Sequence, residues 1–138
     1  MEVVKKKNMN KASVKNYKDL IVWQKSMNLS VKIYELVKLL PEDESRNLIS
    51  QLKRASVSIH SNIAEGYSMG GRNYKYFIQV AYASASEIES QLKLIKRLNL
   101  VNNSTLLDEI NSILIEVLKM LSTMISNIKR KYGRNYRS

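Results

Sequence analysis

Two segments of the sequence alternate aromatic and cationic side chains, which is typical of surfaces that hold nucleic acid. The segment 66–76 contains three of the four glycines and carries Arg72 and Lys75 among its tyrosines. The second segment is the C-terminus, with Lys129, Arg130, Lys131, Tyr132, Arg134, Tyr136 and Arg137. Tyrosine rings can stack on unpaired bases while cations neutralise the neighbouring phosphates. We therefore predict nucleic-acid contacts by these cations, with Tyr132 and Tyr136 as stacking residues. The alternative for 66–72 is a plain connecting loop.

A second group of polar residues follows one stripe of a predicted helix that carries unusually few charges. Its members are Arg54, Ser58, Asn62 and Glu65, and Glu87 on the next helix is an attractive partner for Arg54. The small side chains of this helix would let another helix approach closely. We interpret the five residues as an oligomer interface or a structural polar network, and the alternative is a weakly charged solvent-facing surface.

The composition argues against catalysis. The chain has no cysteine and a single histidine, His60, so it offers no thiol nucleophile and no base for a nucleophilic serine. A carboxylate metal site in a helix bundle needs a Glu-x-x-His pattern on two helices, which one histidine cannot supply. We therefore predict no enzyme activity, no metal and no cofactor.

The net charge of +11 is concentrated at the two ends of the sequence. Residues 1–16, which include Lys5, Lys6 and Lys7, carry +4, and residues 129–138 carry +5, which leaves +2 for the 112 residues between them. Such ends are typical of arms that bind a polyanion, since each cation near a phosphate releases counterions. The alternative is a pair of solubilising tails. We find no segment apolar enough for a membrane span and no signal peptide, so we expect a cytoplasmic protein.

Apolar residues recur at helical spacing in four long segments joined by short loops. The predicted helices cover residues 17–40, 46–65, 73–98 and 104–132, with Pro41 ending the first, Gly66 capping the second, Asn102 or Asn103 capping the start of the fourth and Gly133 ending it. This pattern predicts an all-α fold, an antiparallel up-down-up-down four-helix bundle. We divide the chain into a basic flexible arm (1–16), a bundle domain (17–128) and a basic tail (129–138).

Several motifs resemble a known family. They are Tyr17-x-x-Leu20, Val22-Trp23-Gln24-Lys25, Pro41 with Glu44, Gln51-Leu52-Lys53-Arg54-Ala55, Asn62-Ile63-Ala64-Glu65-Gly66, and Ala81 followed by Ser84-x-x-Glu87. Over residues 17–101 the chain resembles the four-helix-bundle proteins encoded in intervening sequences of bacterial 23S rRNA genes. This resemblance implies a homopentamer associated with ribosomal RNA. A structurally similar accessory protein of diversity-generating retroelements implies a reverse transcriptase as a possible partner.

Two functional hypotheses follow from the sequence. The first is a non-enzymatic, oligomeric bundle that binds nucleic acid through its basic surfaces and tails, with RNA rather than DNA as the expected partner. The second is a protein-interaction scaffold or accessory subunit, for example of a retroelement reverse transcriptase, whose tails only aid solubility or steer the encounter.

Overall fold

The computed structural model describes residues 14–132, and these residues form an all-helical fold without a strand. The four α-helices are α1 (Ile21–Val37), α2 (Ser50–Met69), α3 (Asn73–Leu98) and α4 (Ser104–Tyr132). Each pairs along its length with its neighbour in the chain, and α4 also packs on α1. The arrangement confirms the predicted four-helix bundle.

The chain enters the bundle through a short turn before α1. Tyr17–Asp19 form one 3₁₀ turn, in which the Asn16 side chain accepts a hydrogen bond from the backbone N–H of Lys18. Leu20 then takes an extended conformation (ψ 127°), so the helix predicted over 17–40 begins as an α-helix only at Ile21. It ends at Val37, three residues before the predicted end at residue 40. The side chain of Gln24 donates to the carbonyl of Lys18 at 2.9 Å and ties this turn to α1.

The second helix differs from the prediction at both ends. Ser45–Ile49 form a π-helical turn, and the α-helix begins at Ser50. Gly66 was expected as the C-terminal cap, but α2 continues through it to Met69, and Gly70 takes the positive φ of 63° that ends the helix. The prediction of Gly66 as the cap is therefore wrong. Its conformation is helical, and its role is in packing.

The third and fourth helices have the predicted bounds. Asn99 ends α3 in the left-handed conformation (φ 54°), where its N–H bonds to the carbonyls of Ile95 and Lys96. The side chain of Asn103 accepts a hydrogen bond from the N–H of Leu106 at 3.0 Å, so Asn103 caps α4. The predicted stop at Gly133 lies outside the described residues.

The core runs the length of the bundle and is built from aliphatic side chains at helical spacing. The fully buried large side chains are Leu29, Ile33, Leu36, Leu52, Ile59, Ile63, Ile78, Ile88, Ile95, Ile110, Leu114 and Leu121. Each helix contributes one apolar stripe, so the outer faces remain available for function. Among the described helices, none has the length and hydrophobicity required to cross a membrane.

Candidate nucleic-acid interface

Side-chain contacts fix the relative direction of the helices. Salt bridges join Lys25 to Glu116 and Lys32 to Glu109. Seven residues further along α1, the contacting residue on α4 lies seven residues earlier in the chain. Hydrogen bonds join Ser58 to Ser84 (2.9 Å) and Gln51 to Gln91 (3.0 Å) with the same relation between α2 and α3. Along α3 and α4, Tyr82 shares a groove with Leu118, and Leu92 shares one with Leu107. All neighbouring helices are therefore antiparallel.

This topology brings three distant segments to one end of the bundle. The start of α1, the α2–α3 loop and the end of α4 all lie there. We call residues 14–20, 65–75 and 126–132 the basic pole. Its cations are Lys15, Lys18, Arg72, Lys75, Lys129, Arg130 and Lys131, against the two acids Asp19 and Glu65. The pole therefore carries a net charge of +5.

The opposite end of the bundle has no such excess. Residues 36–50 and 94–108 contain four basic and four acidic side chains, which balance to zero. Together with the +3 on residues 1–13 and the +2 on residues 133–138, which join the chain at the basic pole, the pole's +5 accounts for +10 of the chain's +11. The bundle is therefore strongly polarised in charge along its axis.

One acid of the pole is held in its ionised form. The carboxylate of Asp19 accepts hydrogen bonds from the backbone N–H groups of Lys15 (2.8 Å) and Asn16 (3.4 Å). The bond from Lys15 is the largest influence, and it lowers the pKa of Asp19 below its ordinary value. Asp19 thus organises the N-terminal turn while it offsets one of the pole's cations.

Aromatic side chains cluster at the same end. Tyr17 meets Trp23 edge to face, and Tyr76 meets Phe77 in the same way, each with ring centroids 5.4 Å apart. Tyr74 packs against the core, where burial and the nearby Tyr67 raise the pKa of its hydroxyl. Of these rings, Tyr76 is the most exposed, with 54% of its area open to solvent.

The predicted nucleic-acid contacts fall into three groups. Arg72, Lys129, Arg130 and Lys131 are exposed at the pole, with Arg130 bonded to Asn127. Lys75 is buried, with 8% of its area exposed, so the described surface does not present it. Lys5, Lys6, Lys7, Arg134, Tyr136 and Arg137 lie outside the described residues, as does the side chain of Tyr132.

Two of the predicted polar residues of α2, Arg54 and Ser58, line a shallow groove between α2 and α3. Asn62 donates to the hydroxyl of Ser58 at 3.0 Å, and Ser84 donates to the same hydroxyl at 2.9 Å, which makes a small interhelical network. Arg54 and Glu87 line the groove, exposed, but in the described part of the chain no salt bridge joins them. Glu65 is exposed nearer the basic pole.

No three metal-ligating side chains come together within residues 14–132. His60 lies half-buried on α2, and burial lowers the pKa of its imidazole. An apolar groove of about 400 Å³ lies between Leu20–Val22 and the Lys119–Met124 stretch of α4, and its lining carries no acid–base pair.

Sequence reasoning missed part of this arrangement. Lys18 belongs to the pole but was not singled out, although the Asn16-x-x-Asp19 spacing is a capping signal that could have placed it on an ordered turn. Ser84 and the Gln51–Gln91 pair join α2 to α3, and no local pattern indicates such contacts.

Comparison with known proteins agrees with the fold. The family model described as 23S rRNA-intervening sequence protein matches residues 18–123, which is about three quarters of the chain, and that family is not a known enzyme family. The chain has no significant match among curated proteins. Because the matched residues include all of α1, α2 and α3 and most of α4, the chain belongs to the 23S rRNA-intervening sequence protein family.

Proposed function

We propose that this protein is a non-enzymatic RNA-binding protein whose contact surface is the basic pole. The observation that carries the proposal is the net charge of +5 on the described residues at one end of the bundle, against zero on the described residues at the opposite end. Membership of the 23S rRNA-intervening sequence protein family favours RNA over other polyanions.

The pole supplies enough exposed cations for salt-dependent binding. The exposed ones are Lys15, Lys18, Arg72, Lys129, Arg130 and Lys131. Each phosphate contact contributes roughly 0.7 (single strand) to 0.9 (duplex) to the slope of log affinity against log salt. If all six made contact, the slope would be about −4 to −5 from the described residues alone. Tyr132 and Tyr136 remain predicted stacking residues.

The test compares two variants with equal charge loss at opposite ends of the bundle. The pole variant carries Lys129→Gln, Arg130→Gln and Lys131→Gln in the last turn of α4. The matched control carries Lys93→Gln, Lys96→Gln and Arg97→Gln at the end of α3, so both variants lose cations near a helix C-terminus. Fluorescence anisotropy with a labelled RNA gives the affinity of each full-length chain over a range of salt concentrations.

We expect the pole variant to bind more weakly and its salt slope to fall in magnitude by about 2, while the control retains the wild-type slope. Equal slopes for the two variants would reject the pole as the contact. Absence of salt-dependent RNA binding, with a partner protein retained after nuclease treatment, would support the interaction-scaffold hypothesis instead.

We also propose that copies of the chain associate through the α2–α3 groove. Arg54 and Glu87 are exposed there with opposite charges, and within the described residues neither forms a salt bridge with the other. Pairing of Arg54 with Glu87 of a second copy would satisfy both and fix the register of the assembly. Five copies is the number that the family resemblance implies.

Charge reversal tests this interface. Arg54→Glu and Glu87→Arg should each weaken assembly, because like charges then face each other, and the double variant should restore it. Sedimentation equilibrium measures the mass in solution. A monomeric wild type, or a double variant as weakly associated as either single one, would contradict the proposal without bearing on RNA binding.

A further inference from the structure

An exposed ring and an exposed cation lie one helical turn apart at the start of α3. Arg72 directly precedes the helix, in a helical backbone conformation, and Tyr76 lies four residues later. Residues at this spacing share one helix face, with their Cβ atoms about 5–6 Å apart. Both are exposed, and Met69, the last residue of α2, is 62% exposed. At this edge of the basic pole, the flat ring of Tyr76, the residue that follows the 65–75 segment, therefore lies near a cation of the pole.

The support beneath Tyr76 is rigid. Its ring rests edge to face on Phe77, whose Cβ lies so close to α2 that a Cβ at Gly66 would be only 2.9 Å away. The next residue in the helix that faces inward, Ile78, is fully buried. Tyr76 is therefore an aromatic side chain on the outside of a tightly packed helix pair, where the core gains little from it.

Resting on the RNA-binding function above, we propose that this surface binds an unpaired nucleotide, so that the protein selects single-stranded RNA segments. The face of the Tyr76 ring stacks on one base, and the guanidinium of Arg72 contacts the adjacent phosphate. A base inside a duplex is already stacked on both sides, and its face cannot reach the ring. Cations alone would bind single and double strands without this preference.

The experiment measures the affinity of the full-length protein for two probes, a short unstructured RNA and the duplex that it forms with its complement. Four proteins are compared: the wild type, Tyr76→Ala, Tyr76→Phe, and Tyr82→Ala as the matched control. Tyr82 lies on the same helix with 37% of its area exposed, but in the groove toward α4 and away from the pole.

We expect the wild type to bind the single strand more tightly than the duplex. Tyr76→Ala should lower the single-strand affinity by about 5- to 150-fold, the range that stacking of one base on an aromatic side chain is worth. Duplex affinity and the salt slope should not change, because the ring carries no charge. Tyr76→Phe keeps the ring and should bind like the wild type, as should Tyr82→Ala.

Three results would overturn the inference while leaving the basic pole intact as the RNA contact: equal wild-type affinity for both probes, an unchanged affinity in Tyr76→Ala, or an equal loss in Tyr82→Ala. A loss in Tyr76→Ala that accompanies a lower mass by sedimentation would also overturn it, because the ring would then contact another protein copy. Failure of the proposed function itself is distinct, since neither probe would then bind with a salt slope.

Discussion

Gly66 provides a direct test of how closely α2 and α3 pack. It lies inside α2, four residues before the glycine that ends the helix, and it is buried. A Cβ built at this position would be 2.9 Å from the Cβ of Phe77 and 3.3 Å from a ring carbon of Tyr74. The Cβ of Phe77 is attached directly to the backbone, so it cannot rotate away. An alanine at Gly66 therefore requires the two helices to separate.

The sign of the effect depends on two opposing free energies. Alanine is better than glycine in a helix interior by about 1 kcal/mol. Carbon atoms pack at about 3.5–4.0 Å, so the helices must move apart by roughly 0.6–1 Å, and overpacking of this kind costs about 1–3 kcal/mol. Because the separation loosens neighbouring α2–α3 contacts as well, we expect the upper part of that range and a net loss of about 1–2 kcal/mol for Gly66→Ala.

Urea and thermal unfolding followed by circular dichroism measure this loss. For a chain of this length the melting temperature should fall by about 3–7 °C. Ser68→Ala, on an exposed position two residues along α2, is the matched control, and it should be neutral or slightly stabilising. Gly70→Ala should also destabilise, by about 1–3 kcal/mol, but through its backbone conformation (φ 63°, ψ −167°), since nothing lies within 4 Å of its Cβ position.

The reasoning would be refuted by a Gly66→Ala variant as stable as the wild type or more stable. That result would mean that helix propensity outweighs packing at this site and that α2 and α3 can adjust without loss. An unaffected Gly70→Ala would separately contradict Gly70 as the residue that ends α2.

Three further predictions concern stability. Ile59→Ala should cost about 2–5 kcal/mol because Ile59 is fully buried, whereas Val57→Ala, at a position 38% exposed, should cost less than about 1 kcal/mol in the same denaturation assay. Ser84→Ala removes the hydrogen bond to Ser58 on α2 and should lower the free energy of unfolding by about 1 kcal/mol. Ser86→Ala should change it little, because the Ser86 hydroxyl bonds within its own helix. Equal effects would contradict a stabilising role for the interhelical bond. Burial lowers the pKa of His60, so the unfolded chain binds the imidazole proton at a higher pH than the folded chain does. Stability should therefore fall as the pH drops through the ordinary histidine range near 6.5. His60→Gln should flatten this dependence of stability on pH between pH 5 and pH 7, and an unchanged dependence would show that another group causes it.

Much of the fold could be predicted from the sequence because local signals and tertiary packing agree. Long apolar stripes at helical spacing identify α3 and α4, and asparagines at both sides of the loop between them, Asn99 and Asn103, define where one helix ends and the next begins. The same consistency gave four helices with short connections, for which antiparallel packing is the simplest arrangement.

The differences arise where one residue type serves two physical roles. A glycine near a helix end favours a positive φ, but it also allows close contact between helices. The sequence around Gly66 does not distinguish these two roles. Lys75 was grouped with surface cations, although it precedes Ile78 by three residues and Ala85 by ten, and so falls near the buried stripe of α3. That spacing could have identified its burial.

The basic pole itself follows from topology more than from any local pattern. In an antiparallel bundle of four helices, both chain ends and the middle loop lie at the same end, while the first and third loops lie at the other. Cations placed at the beginning, middle and end of the sequence are therefore separate in the chain but adjacent in the fold. A bundle with three helices would send the two chain ends to opposite poles. The number of helices, more than the number of lysines, thus concentrates the charge on which the proposed RNA contact rests.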